Sequence, residues 1–384
     1  MRTTTKRAIV PLMALALLGA ACTSDGDSES GDSSPDGTEA PAATDAPDAT
    51  TATTDTDDTV EVVQETESTL AKVIDAGVFK CGTRDALPGF AFLDPSGEHV
   101  GFDSDFCRVI AAAVLGDATA VEMVDLETDA RFTALQSGEV DALVRNTTWT
   151  ATRDGAEGAT FLQPTFYDGQ AMMVASDSGF ESLADMNNVV ICVAQGTTTE
   201  GNAAAEAAKL GLTWEVRAFE DPELIQEAFI AGQCDGWSSD NSQLTGFRSA
   251  YPDGPEALTI LSDEVFSKEP LAPAVADGDS EWAQAVSWAI FATIQAEEFG
   301  ITSENIDTFA ETTDPAIQAF LGQEVDGAVL DPGLGLPTDF AYQVVSQVGN
   351  YGEIFDRHLT PLGLERGVNA LWSDGGLIYA PPYR

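Results

Sequence analysis

A guanidinium, a carboxylate and free backbone amides can together hold a zwitterion, and the sequence offers all three in short polar runs. The first closes "SGEVDALVRNTTWTATR" (137–153) and contains Asn146, Thr147, Thr148 and Arg153. The second closes "AGQCDGWSSDNS" (231–242) and contains Asp240. A third, "AQGTTTEGN" (194–202), sets a glycine and hydroxyls where a helical pattern begins. An arginine fork grips a carboxylate through two parallel hydrogen bonds. A helix start presents free N–H groups and the positive end of the dipole. Arg153 and the Thr197–Thr198 amides would then take –COO⁻, and Asp240 would take –NH₃⁺. Each also has a plainer reading: Arg153 as a surface ion-pair partner, Thr197 as a simple N-cap, Asp240 as a cap of the helix that starts "NSQLTGF".

The two longer runs echo one another. Each reads small residue, Gly, two residues, Asp, small residue, apolar residue, then polar residues. The pattern around them alternates. "GVFKCGT", "TAVEMVDL", "VDALVRN", "GQAMMVAS", "VVICVAQG", "LTWEVRAF" and "CDGWSSD" read as strands. Residues 104–116, 129–138, 197–211, 222–232 and 280–300 read as helices, several stopped by Gly and one opened by Pro. Strand and helix in alternation predict an α/β fold with largely parallel sheets. Ligands of such sheets sit at the carboxyl ends of the strands, where both polar runs fall. Two copies suggest two lobes facing one cleft, although helix–Gly–strand units recur in any α/β protein.

Composition narrows the class. The 384 residues suffice for one large or two ordinary domains. Residues 1–22 read as an export signal: Arg2, Lys6 and Arg7, then "AIVPLMALALLGAA", then Cys22. "LGAAC" resembles a lipobox with its Leu displaced by one position, which would make Cys22 a lipidated first residue; cleavage nearby would instead release a free protein. Residues 23–67 carry acidic, hydroxyl and small residues and almost no large apolar side chain, so they read as a disordered acidic tether. The chain's net charge is −47. That balance argues against nucleic acid as a partner and suits solubility, with a salty habitat as a further reading. Beyond Cys22, the even set Cys81, Cys107, Cys192 and Cys234 suggests two disulfides in an exported chain. Metal binding is the weaker rival, with no CxxC and with His99 and His358 far apart in sequence. No cofactor or metal is expected.

From "TLAKVIDAGVFKCGTRDALPGF" to "LERGVNALWSDGGLIYAPPYR" the chain resembles the extracytoplasmic solute-binding proteins of polar amino-acid ABC importers, and the general L-amino-acid binding branch among them. "GFDSDFCRVIAAAV", "RFTALQSGEVDALVRNTTWTATRD", "YDGQAMMV", "GTTTE", "SKEPLAPAV" and "VSQVGNYGEIFDRHL" carry the resemblance over about 315 residues in order. It implies a two-lobe periplasmic-binding-protein-like (Venus flytrap) fold with two hinge crossovers, near "FYDGQAMM" and "SKEPLAPA". Lobe 1 would be residues 68–168 and 267–384, and lobe 2 residues 169–266. It further implies that Arg153 binds the α-carboxylate with help from Thr148 and the Thr198 amide. Asn146 would face the α-ammonium, and Asp240 would take it.

Leu87 and Phe90 of "LPGF" fall where relatives cover the ligand side chain. Relatives that bind cationic amino acids carry Asp where this chain has Arg84, and Arg145 is close to it in the first polar run. Burying these beside a Lys or Arg ligand would be costly, so neutral and acidic L-amino acids are expected over cationic ones, unless both arginines point to solvent or pair with acidic neighbours. The implied lobes pair Cys81 with Cys107 and Cys192 with Cys234, because a bridge between lobes would resist the hinge. The expected function is a non-enzymatic receptor, monomeric and held by a lipid at the outer face of the cytoplasmic membrane or free in the periplasm, that hands amino acids to an ABC permease. The rivals are a dehydratase of prephenate-like cyclic acids and a sensory module on the same fold.

Overall fold

The computed structural model describes residues 68–383. The export signal, Cys22 and the acidic tether lie outside the described residues. Two five-stranded sheets carry the fold. The first runs, edge to edge, Val121–Asp125, Phe79–Thr83, Ala142–Leu143, Ala274–Ala276 and Ala159–Phe161. The second runs Trp214–Phe219, Val189–Ala194, Gly236–Asp240, Gln170–Ala175 and Leu258–Ile260. Between them lies a two-stranded sheet of Phe166–Asp168 and Glu269–Leu271, antiparallel, with Asp168 opposite Glu269. These strands fall inside "FYDGQAMM" and "SKEPLAPA", and the chain passes from one large sheet to the other through them.

The expectation of largely parallel sheets needs correction. Each large sheet has a parallel trio and two antiparallel pairings: Phe79–Thr83 and Val189–Ala194 pair in parallel with both neighbours, whereas Ala274–Ala276 and Gln170–Ala175 run against theirs. The crossovers are the reason. A strand entering directly from the linking strands starts at the end where the parallel strands finish. Gln170 therefore pairs with Asp240, the last residue of its strand.

The helices behave as their sequences require. Phe102–Leu115 is apolar on nearly every face and is buried over most of its length. Gly116 ends it at φ 72°, a conformation that a side chain would strain. Ser280–Glu298 opens on the Asp279 side chain and buries Trp282, Val286, Ile290 and Ile294. Around them Phe90, Phe102, Phe106, Phe166, Tyr351 and Phe355 form edge-on and stacked ring pairs with centroids 5.0–6.4 Å apart. Full burial of each such ring contributes roughly 1.5–3 kcal/mol.

Cys81–Cys107 ties the middle strand of the first sheet's parallel trio to helix Phe102–Leu115. Cys192–Cys234 closes a loop of the second. Chain-entropy reasoning assigns such bridges roughly 3–4 kcal/mol each. Both pairings are the expected ones. His99 bonds Asp125 and His358 bonds Asp105, so each is engaged in a carboxylate pair. Among the described residues no group of His, Cys, Asp and Glu has the geometry to hold a metal ion, and no helix is long and apolar enough to cross a membrane.

Candidate ligand-binding cleft

The carboxyl ends of the two parallel trios meet across a narrow cleft whose cavity volume is only about 30 Å³. Arg153, Thr148 and Asn146 line it from the side of the first sheet, and Thr197, Thr198 and Asp240 from the second. Their plainer readings do not describe the geometry. Arg153 is 9% exposed and forms no ion pair among the described residues; its Nη1 donates to the Thr148 carbonyl oxygen at 2.9 Å. Thr150 caps the short helix Ala151–Ala156 that carries it, by accepting from the Arg153 backbone N–H. Thr148 thus positions Arg153 through its carbonyl oxygen while lining the same cavity.

Thr197 occupies the N-cap of helix Thr198–Leu210, yet its side chain accepts no bond from that helix's backbone N–H groups. Its hydroxyl is spent on the Ala194 carbonyl and on Thr199 Oγ1, both at 2.6 Å. The first N–H groups of the helix are left free to meet an anion. Glu269 of the linking sheet is buried behind them and accepts from Thr198 Oγ1 at 2.9 Å and Asn202 Nδ2 at 2.8 Å.

Asp240 precedes helix Asn241–Ser249 without capping it. The Gly169 carbonyl accepts from Asn241 N, and Asp168 Oδ2 accepts from Ser242 N at 3.2 Å. With the cap supplied by the linking segment, the Asp240 carboxylate is freed for the cleft. It is buried, and its Oδ1 has no hydrogen-bond partner among the described residues. Burial, then Asp168 and Glu269, push its pKa well above the usual carboxylate range, while Arg153 and Arg131 pull the other way.

Asn146 sits at φ 33°, a left-handed conformation that asparagine tolerates better than most residues. Its backbone N–H donates to Asp103 Oδ2 at 2.8 Å, and its Nδ2 donates across the cleft to Gln243 Oε1 at 3.2 Å. Burial raises Asp103 to about 7, against the opposing pull of that backbone bond and of Arg84 and Arg145.

Arg84 and Arg145 line the cleft and are buried, so neither points freely to solvent. Arg145 donates to the Leu126 carbonyl at 2.8 Å and to Thr128 Oγ1 at 3.2 Å. Burial lowers its pKa to about 9, with Arg84 adding to the fall.

Leu87 and Phe90 are placed elsewhere than expected. Phe90 joins the aromatic core, with Phe102 at 5.8 Å and Phe166 at 5.4 Å. The turn at Gly89 (φ 87°) delivers the Phe90 carbonyl to the start of helix Phe102–Leu115, where Asp103 N donates to it at 2.8 Å. That anchor carries the ring inward. Leu87 is fully buried, and Pro88 meets Gly246 of the facing helix so closely that a Cβ there would lie 2.5 Å from the Pro88 oxygen.

Sequence reasoning missed Arg131, Thr128, Ser239, Pro222 and Gln243, which also line the cavity. Two had a signal. Arg131 is the only base in "DARFTALQSG", and Gln243 lies three residues beyond Asp240, one helical turn away.

Two mixed sheets joined by a two-stranded crossover, with a polar cleft at the facing strand ends, define a two-lobe, Venus-flytrap type of binding protein. Residues 79–305 match the bacterial extracellular solute-binding proteins, family 3, and the chain belongs to that family. It is 45% identical over 320 residues to the general L-amino acid-binding periplasmic protein AapJ of Rhizobium johnstonii, covering 83% of this chain and 93% of that one. It is 42% identical to the glutamate/glutamine/aspartate/asparagine-binding protein BztA of Rhodobacter capsulatus, over 83% and 94% of the two chains. A solved ABC-transporter periplasmic binding protein from Brucella ovis, described with glutathione bound, superposes with a TM-score of 0.80 at 41% identity. That match covers 83% of this chain and all of the other.

Proposed function

We propose that this protein is the extracytoplasmic receptor of an amino-acid ABC importer. It binds L-amino acids between its lobes, neutral and acidic ones in preference to cationic ones, and delivers them to the permease without chemical change. One observation carries the reading: a single buried cleft sets Arg153 and the free amides of the Thr198 helix against the unpartnered carboxylate of Asp240. The names of the AapJ and BztA relatives support it.

In this reading Arg153 and the Thr198 amide hold the α-carboxylate, and Thr148 fixes Arg153. Asp240 takes the α-ammonium, with Asn146 beside it. Arg84 and Arg145 disfavour a cationic side chain. Lobe 1 comprises residues 68–168 and 267–384, and lobe 2 residues 169–266. Because each lobe holds part of one zwitterion, the full set of ligand contacts exists only when the lobes are together, and binding shifts the population toward that state. The receptor acts as a monomer anchored through a lipid on Cys22. A small peptide such as glutathione is the second reading, favoured by the Brucella ovis relative.

Thermal shift of ligand-stripped protein with each L-amino acid, with D-enantiomers and with glutathione tests this. Neutral and acidic L-amino acids should raise Tm, with little response to arginine, lysine or D-enantiomers. A response to glutathione alone would favour the peptide reading, and no response to any of them would contradict the proposal.

A further inference from the structure

The two linking strands are held from different sides. Glu269 of the second is bonded to Thr198 and Asn202, on the helix whose first amides face the cleft. The first strand, Phe166–Asp168, is held by residues that do not line the cleft. Just before it, the Thr165 carbonyl oxygen accepts from the buried Tyr351 hydroxyl at 2.8 Å. Within it, Tyr167 stands opposite Pro270, which has no N–H to donate. The Pro270 carbonyl accepts from Trp149 N at 2.8 Å. Both backbone groups of Tyr167 turn to one side chain instead: Tyr167 N donates to Asn369 Oδ1 at 2.6 Å, and Asn369 Nδ2 donates to the Tyr167 carbonyl oxygen at 3.0 Å. An asparagine amide offers an acceptor and a donor together, so here it replaces a neighbouring strand.

Asn369 is buried and ends the short turn Gly367–Asn369. That turn lies beyond residues 79–305, the span matched to the family, so the matched span does not itself supply this contact. Arg366 anchors it. Its Nε donates to the Asn369 carbonyl oxygen at 2.9 Å, and its two Nη atoms meet the Glu297 carboxylate at 3.0 and 3.2 Å. The same guanidinium lies over the Tyr351 ring at 4.9 Å and the Phe355 ring at 5.1 Å. A continuous path therefore runs from Glu297 of helix Ser280–Glu298, through Arg366 and Asn369, to the backbone of the first linking strand.

Resting on the two-lobe amino-acid reading above, we propose that Asn369 and Tyr351 are positioning residues for ligand binding. From outside the cleft they brace the first linking strand to lobe 1, and bending between the lobes is confined to the residues that follow it. The brace removes hinge geometries in which the two halves of the cleft do not face one another. Without it a smaller share of the protein is competent to close, and apparent affinity falls by that share whatever the ligand.

Calorimetric titration of ligand-stripped protein with L-glutamine and L-glutamate, beside small-angle scattering of the unliganded protein, tests this. Asn369→Ala should weaken both ligands by the same factor, roughly three- to tenfold, the scale of one hydrogen bond. The ratio of the two affinities should stay as in the wild type, and the unliganded variant should be less compact. Tyr351→Phe keeps the ring and loses only the bond to Thr165; it should act in the same direction by a smaller factor, and it decides the question where Asn369→Ala does not fold. A role in stability alone would lower Tm and leave both affinities unchanged, and that result would overturn the proposal, as would a changed ratio between the ligands. Failure of the wild type to bind either ligand would instead bring down the amino-acid reading. The scattering comparison needs no ligand and would then decide the brace, with equal compactness of wild type and variant overturning it.

Discussion

Asp105 and Asp240 are both buried carboxylates among cationic groups, and the fold treats them in opposite ways. Asp105 meets Arg108 Nη1 at 3.1 Å, His358 Nε2 at 2.7 Å and the Arg357 guanidinium. Burial pushes its pKa up, but His358, Arg357 and Arg108 outweigh that and hold it below the usual range. Asp240 has an orphan oxygen, and burial with two neighbouring carboxylates carries it upward. The first cluster is complete, and it pins helix Phe102–Leu115 to helix Tyr351–His358. The second has Arg153 and Arg131 in its surroundings but leaves the Asp240 Oδ1 without a hydrogen-bond partner among the described residues. A buried polar group without a partner costs free energy, and such groups gather here: Arg84 Nε, Arg131 Nε, Asn146 Oδ1 and Asp240 Oδ1 have no hydrogen-bond partner among the described residues and surround one cavity. The difference separates charges that hold the fold from charges that await a ligand.

Substitution breaks the comparison most sharply. Arg153→Ala should lower amino-acid affinity by about 3 kcal/mol, roughly a hundredfold, since it strands a ligand carboxylate in the closed cleft. Its Tm should change little. Asp105→Ala should do the reverse, lowering Tm by several degrees as Arg108, Arg357 and His358 lose their partner while affinity stays within about threefold. Titration calorimetry and thermal denaturation on both variants check this crossed pattern.

Acid should divide the same two regions. Asp103, raised to about 7, and Asp168, raised by burial to about 6, hold protons more tightly folded than unfolded. Their stabilisation is full below the unfolded carboxylate pKa and is lost as pH rises through 6 and 7. Asp105 runs the other way: its contribution is present above the unfolded pKa and is lost as pH falls through its depressed value. Unliganded protein should therefore gain Tm as pH falls from 7.5 to 5. Asp103→Asn should flatten that gain and Asp105→Asn should not.

The smallest effect concerns the fit of the lobes. Gly246→Ala places a methyl group 2.5 Å from the Pro88 oxygen. It should weaken binding a few-fold without lowering the Tm of the unliganded state, and small-angle scattering should show a less compact liganded form.

The alternation of strands and helices was legible because apolar periodicity and glycine stops are local signals. Helix Phe102–Leu115 and strand Gly236–Asp240 follow directly from their residues. The antiparallel strands were not legible, because strand direction follows from the crossovers rather than from any one segment. Arg153, Asp240 and Thr198 could be singled out since each stands at a strand or helix end. Arg131 was passed over because no polar run surrounds it, although it is the only base of its helix, and the fold brings it into the cleft over Phe132. Phe90 was expected at the ligand side chain from the resemblance to relatives, and the carbonyl bonded to Asp103 that draws "LPGF" inward is a contact no spacing rule reports.

The central claim is that one zwitterion is held from both sides of the cleft. A double-mutant cycle with L-glutamine, using Arg153→Ala, Asp240→Ala and the pair, tests it most directly by calorimetry in buffers of differing ionisation enthalpy. Each single variant should lose at least tenfold in affinity, and the losses should be non-additive, since either loss prevents full closure. Wild-type binding should also release a proton, as the ligand ammonium converts the raised Asp240 carboxyl to its ionised form, and Asp240→Ala should abolish that release. Glutamine binding with wild-type affinity to either single variant would contradict it.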